Sequence, residues 1–252
     1  MANNISVTVL TKNSAAYLAE CLGALEAFAE VVLLDSGSTD ETISIARRFR
    51  NVVVFEHSFI GFGPMKNLAL DKASNDWILS VDSDEIVTPE LAREILDLDL
   101  DGSRLYAMER DNYYHGRLIR GCGWDNDRVN RLFDRKSTRF DDKLIHEGLS
   151  GSKSMTTQLL RGRLKHYTYD DASQLVQKMQ HYSTLWAEEN RGRKKSSAFR
   201  ALLNGILTFF KSYVLQNGWR YGYEGLLISV SNANGAFYKY IKLYEAERFD
   251  RV

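Results

Sequence analysis

Asp82, Asp84 and Glu85 put three carboxylates within four residues, at the end of the apolar run Trp77-Ile78-Leu79-Ser80-Val81. Like charges this close raise one another's proton affinity, so the group is tolerable when solvated or when a cation sits between the oxygens. A hard divalent ion such as Mg2+ or Mn2+, itself bridging two phosphates, is the usual partner of such a pair. Asp97-Leu98-Asp99-Leu100-Asp101 repeats the spacing but follows a helix-like segment, with no strand to fix it, and reads as a solvated helix end. Other polar residues stand where apolar runs stop: Thr11 and Asn13 after Ile5–Leu10, and Asp35 and Ser36 after Val31–Leu34. His146-Glu147 follows the apolar pair Leu144-Ile145 and could be an acid/base site, a metal site or a solvated turn.

The elements needed to position these residues are legible in turn. Ile5–Leu10 reads as a first strand, and Tyr17, Leu18, Cys21, Leu22 and Leu25 recur at helical spacing. Val31–Leu34 is the short, fully apolar run of a strand buried on both faces of a parallel sheet. Ser38-Thr39-Asp40-Glu41 has the form of a capping box, predicting a helix to about Arg50. Val52–Phe55 is a third strand, Met65–Lys72 a short helix after the Gly61–Pro64 loop, and Trp77–Val81 the fourth strand. Thr88-Pro89 opens a helix to about Leu96. This alternation argues for βαβ units in a doubly wound, mostly parallel sheet. Ligands of such sheets lie beyond the carboxyl ends of the strands, where Thr11, Asn13, Asp35, Ser36, Asp82 and Asp84 all fall. The chain has no glycine-rich dinucleotide fingerprint and no Walker lysine loop, so a metal on Asp84 and the cation of Lys66 are the candidates for holding phosphates.

Beyond residue 100 the texture changes. Leu105–Arg117 and Arg128–Arg135 look like strands rich in aromatic and basic side chains, and between them Trp124 could face a sugar ring or fill a core. Past the basic run Arg191–Lys195, Leu203, Leu207, Phe210 and Val214 share one helical face, widened by Leu202, Ile206, Phe209 and Tyr213. That face either packs as ordinary core or lies in a bilayer interface with the basic residues against anionic lipid. A second helical region, Tyr223–Tyr240, is expected to break at Gly235. A net charge of zero gives no electrostatic case for nucleic acid, and two cysteines make neither a disulfide framework nor a metal quartet. With no basic, apolar leader and no uncharged run of about 20 residues, the expectation is a cytoplasmic protein, with the inner-membrane surface as its one candidate membrane partner.

Together, Val9–Asn13, Leu34–Asp40, Lys66-Asn67 and Val81–Glu85 resemble a family 2 glycosyltransferase with the GT-A fold, a Rossmann-like, mostly parallel α/β sheet. The second half is similar to the bacterial lipopolysaccharide core glucosyltransferases that add β-1,4-glucose to heptose, through Gly123-Trp124, Arg131–Phe133, His146-Glu147 and the tail from Lys211 to Tyr240. The resemblance implies a catalytic domain over 1–170 and a helical extension over 171–252. It implies a UDP-sugar donor bound by Thr11, Asn13, Asp35, Ser36, Lys66 and Asp82, with Asp35 and the backbone around Thr11 on the uracil. Asp84, with Asp82, would hold Mn2+ or Mg2+ on the diphosphate. Glu147 would be the base that deprotonates the hydroxyl of a glycolipid or oligosaccharide acceptor in a single, inverting displacement. Two rivals are a phosphatase of the haloacid dehalogenase type, which also uses an Asp-x-Asp motif, and a non-catalytic carbohydrate- or membrane-binding module.

Overall fold

The computed structural model describes residues 4–141, 148–150 and 154–249. The chain forms two units: residues up to 111 with 126–166, and residues 112–125 with those from 167 onward.

In the first unit, the apolar runs become β1 (Ile5–Thr11), β2 (Glu30–Asp35), β3 (Val52–Glu56) and β4 (Trp77–Asp82), all parallel. Their order is β3-β2-β1-β4, so β1 and β2 are central and buried on both faces, with Val7, Val9, Val31, Val32 and Leu33 excluded from solvent. The register sets Leu10 opposite Asp82 on one side and Leu34 on the other, with Thr11 opposite Asp35. The carboxyl ends of the three strands therefore finish at one level. Helix α1 (Ala15–Gly23) buries Leu18, Cys21 and Leu22, and α3 (Phe62–Lys72) packs on β1 and β2 through Met65, Ala69 and Leu70.

After β4 the sheet changes direction. The short strand β5 (Glu85–Val87) and α4 (Pro89–Leu96) follow, α4 capped by the Thr88 hydroxyl, which accepts from the Leu91 amide at 3.3 Å. Strands β6 (Arg104–Tyr114) and β8 (Asp127–Asp134) pair antiparallel, β8 runs antiparallel to β4, and β9 (Thr156–Tyr169) runs antiparallel to β5. The result is mixed and mostly parallel in its first half, as expected, with β5 and β9 unanticipated.

The predicted capping box does not form. Ser38 Oγ donates to Asp35, and Asp40 instead accepts from the Thr42 amide at 3.0 Å, so α2 starts late and spans only Thr42–Ala46. The Ser38 amide, which Glu41 would accept from in a capping box, donates to the buried Asp35 carboxylate at 2.7 Å instead.

The second unit is helical. It contains the two-residue strand β7 (Arg117–Leu118), α5 (Ala172–Asn190), α6 (Ala198–Phe210), a π-helical turn Lys211–Leu215, a tight 3-10 turn Gly218–Tyr221, and α7 (Gly222–Arg248). Helix α7 runs unbroken through Gly235. A glycine inside a helix costs only about 1 kcal/mol relative to alanine, and packing of α7 on α5 and α6 outweighs it. Tyr114, Ile119, Cys122, Leu175 and Ile228 form this unit's buried cluster. The predicted stripe on α6 is not core: Leu202, Leu203, Ile206, Leu207 and Phe210 are all exposed, and only Ala201 and Gly205 are buried. Among the described residues no helix is long and apolar enough to cross a membrane.

Gly225 lets α7 close on the 3-10 turn, since a Cβ there would stand 1.9 Å from the Gly218 carbonyl oxygen. Gly225→Ala should therefore lower stability by about 1–3 kcal/mol in urea denaturation, the usual cost of overpacking. An unchanged midpoint would show that the turn yields freely.

Candidate active site

The end of β2 is built around Asp35. Its side chain is buried and accepts four hydrogen bonds: from Thr11 Oγ1 at 2.9 Å, from Ser38 Oγ, and from the Gly37 and Ser38 amides at 2.8 and 2.7 Å. Burial opposes its charge, yet the donors of Ser38, Thr11 and Gly37 outweigh burial and hold the carboxyl below the usual range. Ser36 ties the loop to β1, its amide and hydroxyl both donating to the Thr11 carbonyl at 2.9 and 3.1 Å. Asn13, in a left-handed backbone conformation at φ 50°, accepts from the Thr39 amide at 2.8 Å. Lys12 Nζ donates to the Ser36 and Gly37 carbonyls at 3.0 and 2.6 Å. Thr11, Asn13, Asp35 and Ser36 thus belong to one hydrogen-bonded platform, and Asp35 acts by fixing its shape.

At the end of β4 the carboxylate cluster is met by protein cations. Asp82 Oδ1 faces Lys66 Nζ at 3.3 Å and its Oδ2 accepts from Arg131 Nη2. Glu85 is wholly excluded from solvent. Its Oε1 takes Arg131 at 2.6 Å and Arg110 at 3.2 Å, and its Oε2 accepts from the Asp82 amide at 3.1 Å. Arg110 continues to Asp127 at 2.7 Å. Burial works against ionisation of Asp82, but Arg131 and then Lys66 prevail and hold it far below the ordinary carboxylate range. The same cluster makes Cys21 inert: burial first, then the carboxylates of Glu85, Asp84 and Asp82, push its thiol well up.

Asp84 is different. Its side chain is 43% exposed, and Oδ2 lies 3.6 Å from Nε2 of His166, which is 9% exposed on β9. One carboxylate oxygen and one imidazole nitrogen converge there, a donor pair that suits a divalent ion of the manganese type. Among the described residues no three histidine, cysteine or acidic side chains converge as a complete metal cage. An ion here would take its remaining ligands from substrate oxygens or water, as Mg2+ and Mn2+ commonly do at diphosphates. His146 and Glu147 lie outside the described residues.

Sequence reasoning missed Arg131, Arg110 and His166 as parts of this site, and gave Glu85 no role. His166 had a signal: Leu160, Gly162, Leu164 and His166 all point inward at a spacing of two along β9, so the histidine occupies a core-facing position. Arg131 had one too, since it sits in the strand run Arg131-Leu132-Phe133, whose three members are all buried. A buried arginine needs an acid, and the buried acid nearby is Glu85.

Comparison with known proteins follows the same lines. The family model described as "Glycosyl transferase family 2" matches residues 6–161. An uncharacterized glycosyltransferase of Rickettsia felis is 29% identical over 262 residues, covering 96% of this chain and 90% of the relative. The lipopolysaccharide core biosynthesis glycosyltransferase LpsC of Rhizobium meliloti is 28% identical, covering 96% of this chain and 92% of its own. Among solved structures, the mannosyltransferase PcManGT from Pyrobaculum calidifontis, in complex with GDP-Man and Mn2+, aligns with a TM-score of 0.55 at 16% identity, covering 99% of this chain and 88% of that one.

Replacing Arg131 by methionine would leave Glu85 buried with Arg110 as its remaining side-chain cation. The expected loss is about 3–5 kcal/mol in urea denaturation at neutral pH. Asp82 titrates lower folded than unfolded, so its contribution is complete above the unfolded value of about 3.9 and fades as pH falls toward the folded one. The gap between wild type and Arg131→Met should therefore narrow below about pH 4. A gap that widens there would contradict the ion cluster.

Proposed function

The chain belongs to glycosyl transferase family 2, and from that premise we propose that it transfers a sugar, glucose by resemblance, from UDP to the saccharide core of a lipopolysaccharide-type glycolipid, inverting the anomeric centre. The observation that carries the reading is the exposed carboxylate of Asp84 beside His166, at the carboxyl end of β4 and next to a fully neutralised Asp82. The 28% identity with LpsC over nearly the whole of both chains favours the acceptor class. Family membership sets aside the haloacid dehalogenase phosphatase. So does the geometry of Asp82, whose two oxygens both face cations and leave no free nucleophile.

In this mechanism the platform of Thr11, Asn13, Asp35 and Ser36 receives the nucleoside, with the Asp35 bonds keeping the loop in shape. Lys66 and Arg131 hold the Asp82 carboxylate in place beneath the donor. Asp84 and His166 would hold Mn2+ or Mg2+, which when bound supplies positive charge to the departing diphosphate. Glu147 takes the proton from the attacking acceptor hydroxyl, and one such base suffices for a single displacement. A retaining hydrolase would instead need two carboxylates flanking the sugar bond.

We further propose that the enzyme works on the cytoplasmic face of the inner membrane. Support comes from α6, where Phe199, Leu203, Leu207 and Phe210 are exposed, with Arg200 exposed on the same helix and Arg193, Lys194 and Lys195 exposed in the segment just before it. Apolar side chains entering the interface with basic ones beside them fit an anionic bilayer, at about 1 kcal/mol per basic residue near the surface.

Release of UDP from a panel of UDP-sugars tests the first proposal. Turnover of one donor should require added Mn2+ or Mg2+ and should fall at least about 100-fold in Asp84→Ala. Glu147→Gln should abolish turnover while UDP still binds. Sugar binding without turnover, unchanged in both variants, would instead favour the non-catalytic module. For the membrane, the full chain should sediment with phosphatidylglycerol vesicles and much less with phosphatidylcholine. Leu207→Asp together with Phe210→Asp should abolish that binding, and equal sedimentation of the variant would refute the α6 contact.

A further inference from the structure

The second unit contains a cavity of about 640 Å3, within the range of small-molecule sites of about 300–1,000 Å3. None of the first unit's donor-site residues lines it. Its charge is one-sided: Lys178, Lys194, Lys211 and Lys239 all contribute to the lining, and among the described residues no aspartate or glutamate does. A concave wall carrying one sign of charge concentrates its field and draws in ions of the other sign. Lysine ammoniums are compact point charges that suit phosphate or carboxylate groups arriving in no single fixed plane.

The remaining wall is mostly aromatic and polar, with Leu175, Met179 and Ala236 among those side chains. Trp124, Tyr169, Tyr182, Trp186 and Tyr240 line it, the first two as a tilted pair with ring centroids 5.7 Å apart. Such rings offer apolar faces to a sugar and, in tyrosine and tryptophan, a polar edge. Two ammoniums stand over these rings, Lys178 at 4.9 Å from the Tyr169 centroid and Lys194 at 5.0 Å from that of Trp186. Burial pushes the Tyr169 hydroxyl up to about 12, so it stays protonated. Gln216, Ser231 and Asn232 add amide and hydroxyl groups, and Ser183 is held by Lys242 Nζ, which donates to its Oγ at 2.8 Å. A neutral sugar would make no use of the positive charge gathered on this wall.

We infer that this cavity binds an anionic saccharide, a sugar ring bearing phosphate or carboxylate, through aromatic stacking and the four lysines. Resting on the transferase reading, the site holds a charged sugar of the acceptor, and the enzyme thereby selects acceptors whose core already carries negative groups. The reaction that supplies the acceptor must then include phosphorylation of the core or addition of an acidic sugar.

Two of the chain's four tryptophans, Trp124 and Trp186, line the cavity, so intrinsic fluorescence and calorimetry on the full chain can follow occupancy. Glucose 6-phosphate and glucuronate are titrated beside glucose and inorganic phosphate, with and without saturating UDP. The expected result is binding of glucose 6-phosphate at about 1 mM, at least about 10-fold tighter than glucose or inorganic phosphate and insensitive to UDP. Lys211→Gln with Lys239→Gln should weaken it about 10-fold or more while leaving UDP affinity and the circular dichroism spectrum unchanged. Glucuronate tells phosphate from carboxylate as the preferred charge, either of which supports the site. Three results overturn it: no binding of either charged sugar, binding that UDP displaces, or binding that ignores the lysine substitutions. Inorganic phosphate binding as tightly as glucose 6-phosphate overturns the saccharide. Loss of UDP binding alone overturns the donor reading and leaves the cavity's ligand as measured.

Discussion

The carboxylate of Glu85 has no access to solvent, and much of the first unit's arrangement answers that one constraint. An unpaired carboxylate in such a place is costly by several kcal/mol, so cations must be delivered to it. Arg131 arrives on β8 and Arg110 on β6, which requires antiparallel strands beside β4 where the parallel series stops. Once there, Arg131 also neutralises Asp82, and Lys66 completes the pairing from α3. The Asp82 amide is held by Glu85 in turn, which fixes the tight bend between β4 and β5. Asp84 sits on that bend with its side chain 43% exposed, the one acid of the three that faces His166.

Much of this was legible in the sequence, for physical reasons that also mark the limits. Unbroken apolar runs bounded by polar residues located β1 to β4, because strands buried on both faces leave no other pattern. Parallel strands in register then carry Thr11, Asp35 and Asp82 to one edge, so their neighbourhood followed from their positions alone. What Asp35 does there was not legible, since three of its four donors come from a loop whose path depends on the carboxylate itself. The same loop misled the reading of Ser38 as a helix cap. Gly235 misled in the other direction, because local propensity is a weak prior against packing on two helices.

The two units solve opposite problems. The first closes its apolar residues around Leu34, Met65, Leu70 and Phe133 and concentrates polar chemistry at one strand edge. The second leaves large apolar side chains along α6 open to solvent and gathers lysines and aromatic rings around an open cavity. Apolar side chains exposed together mark an interaction surface, and a cavity wall of one charge sign suits a guest of the other.

Arg131 follows Glu85 by 46 residues and Asp82 by 49. While the chain emerges from a ribosome at about 5–20 residues per second, β1 to β4 are complete several seconds before their neutralising arginine exists. Through that interval Glu85 must remain hydrated, and the end of β4 cannot settle into its final bend. The first ninety or so residues, although they hold most of the recognisable motif, are therefore not a separable module. Cut free of β8, they would keep an open, acidic edge, and the Asp35 platform would rest on a sheet that had never finished closing.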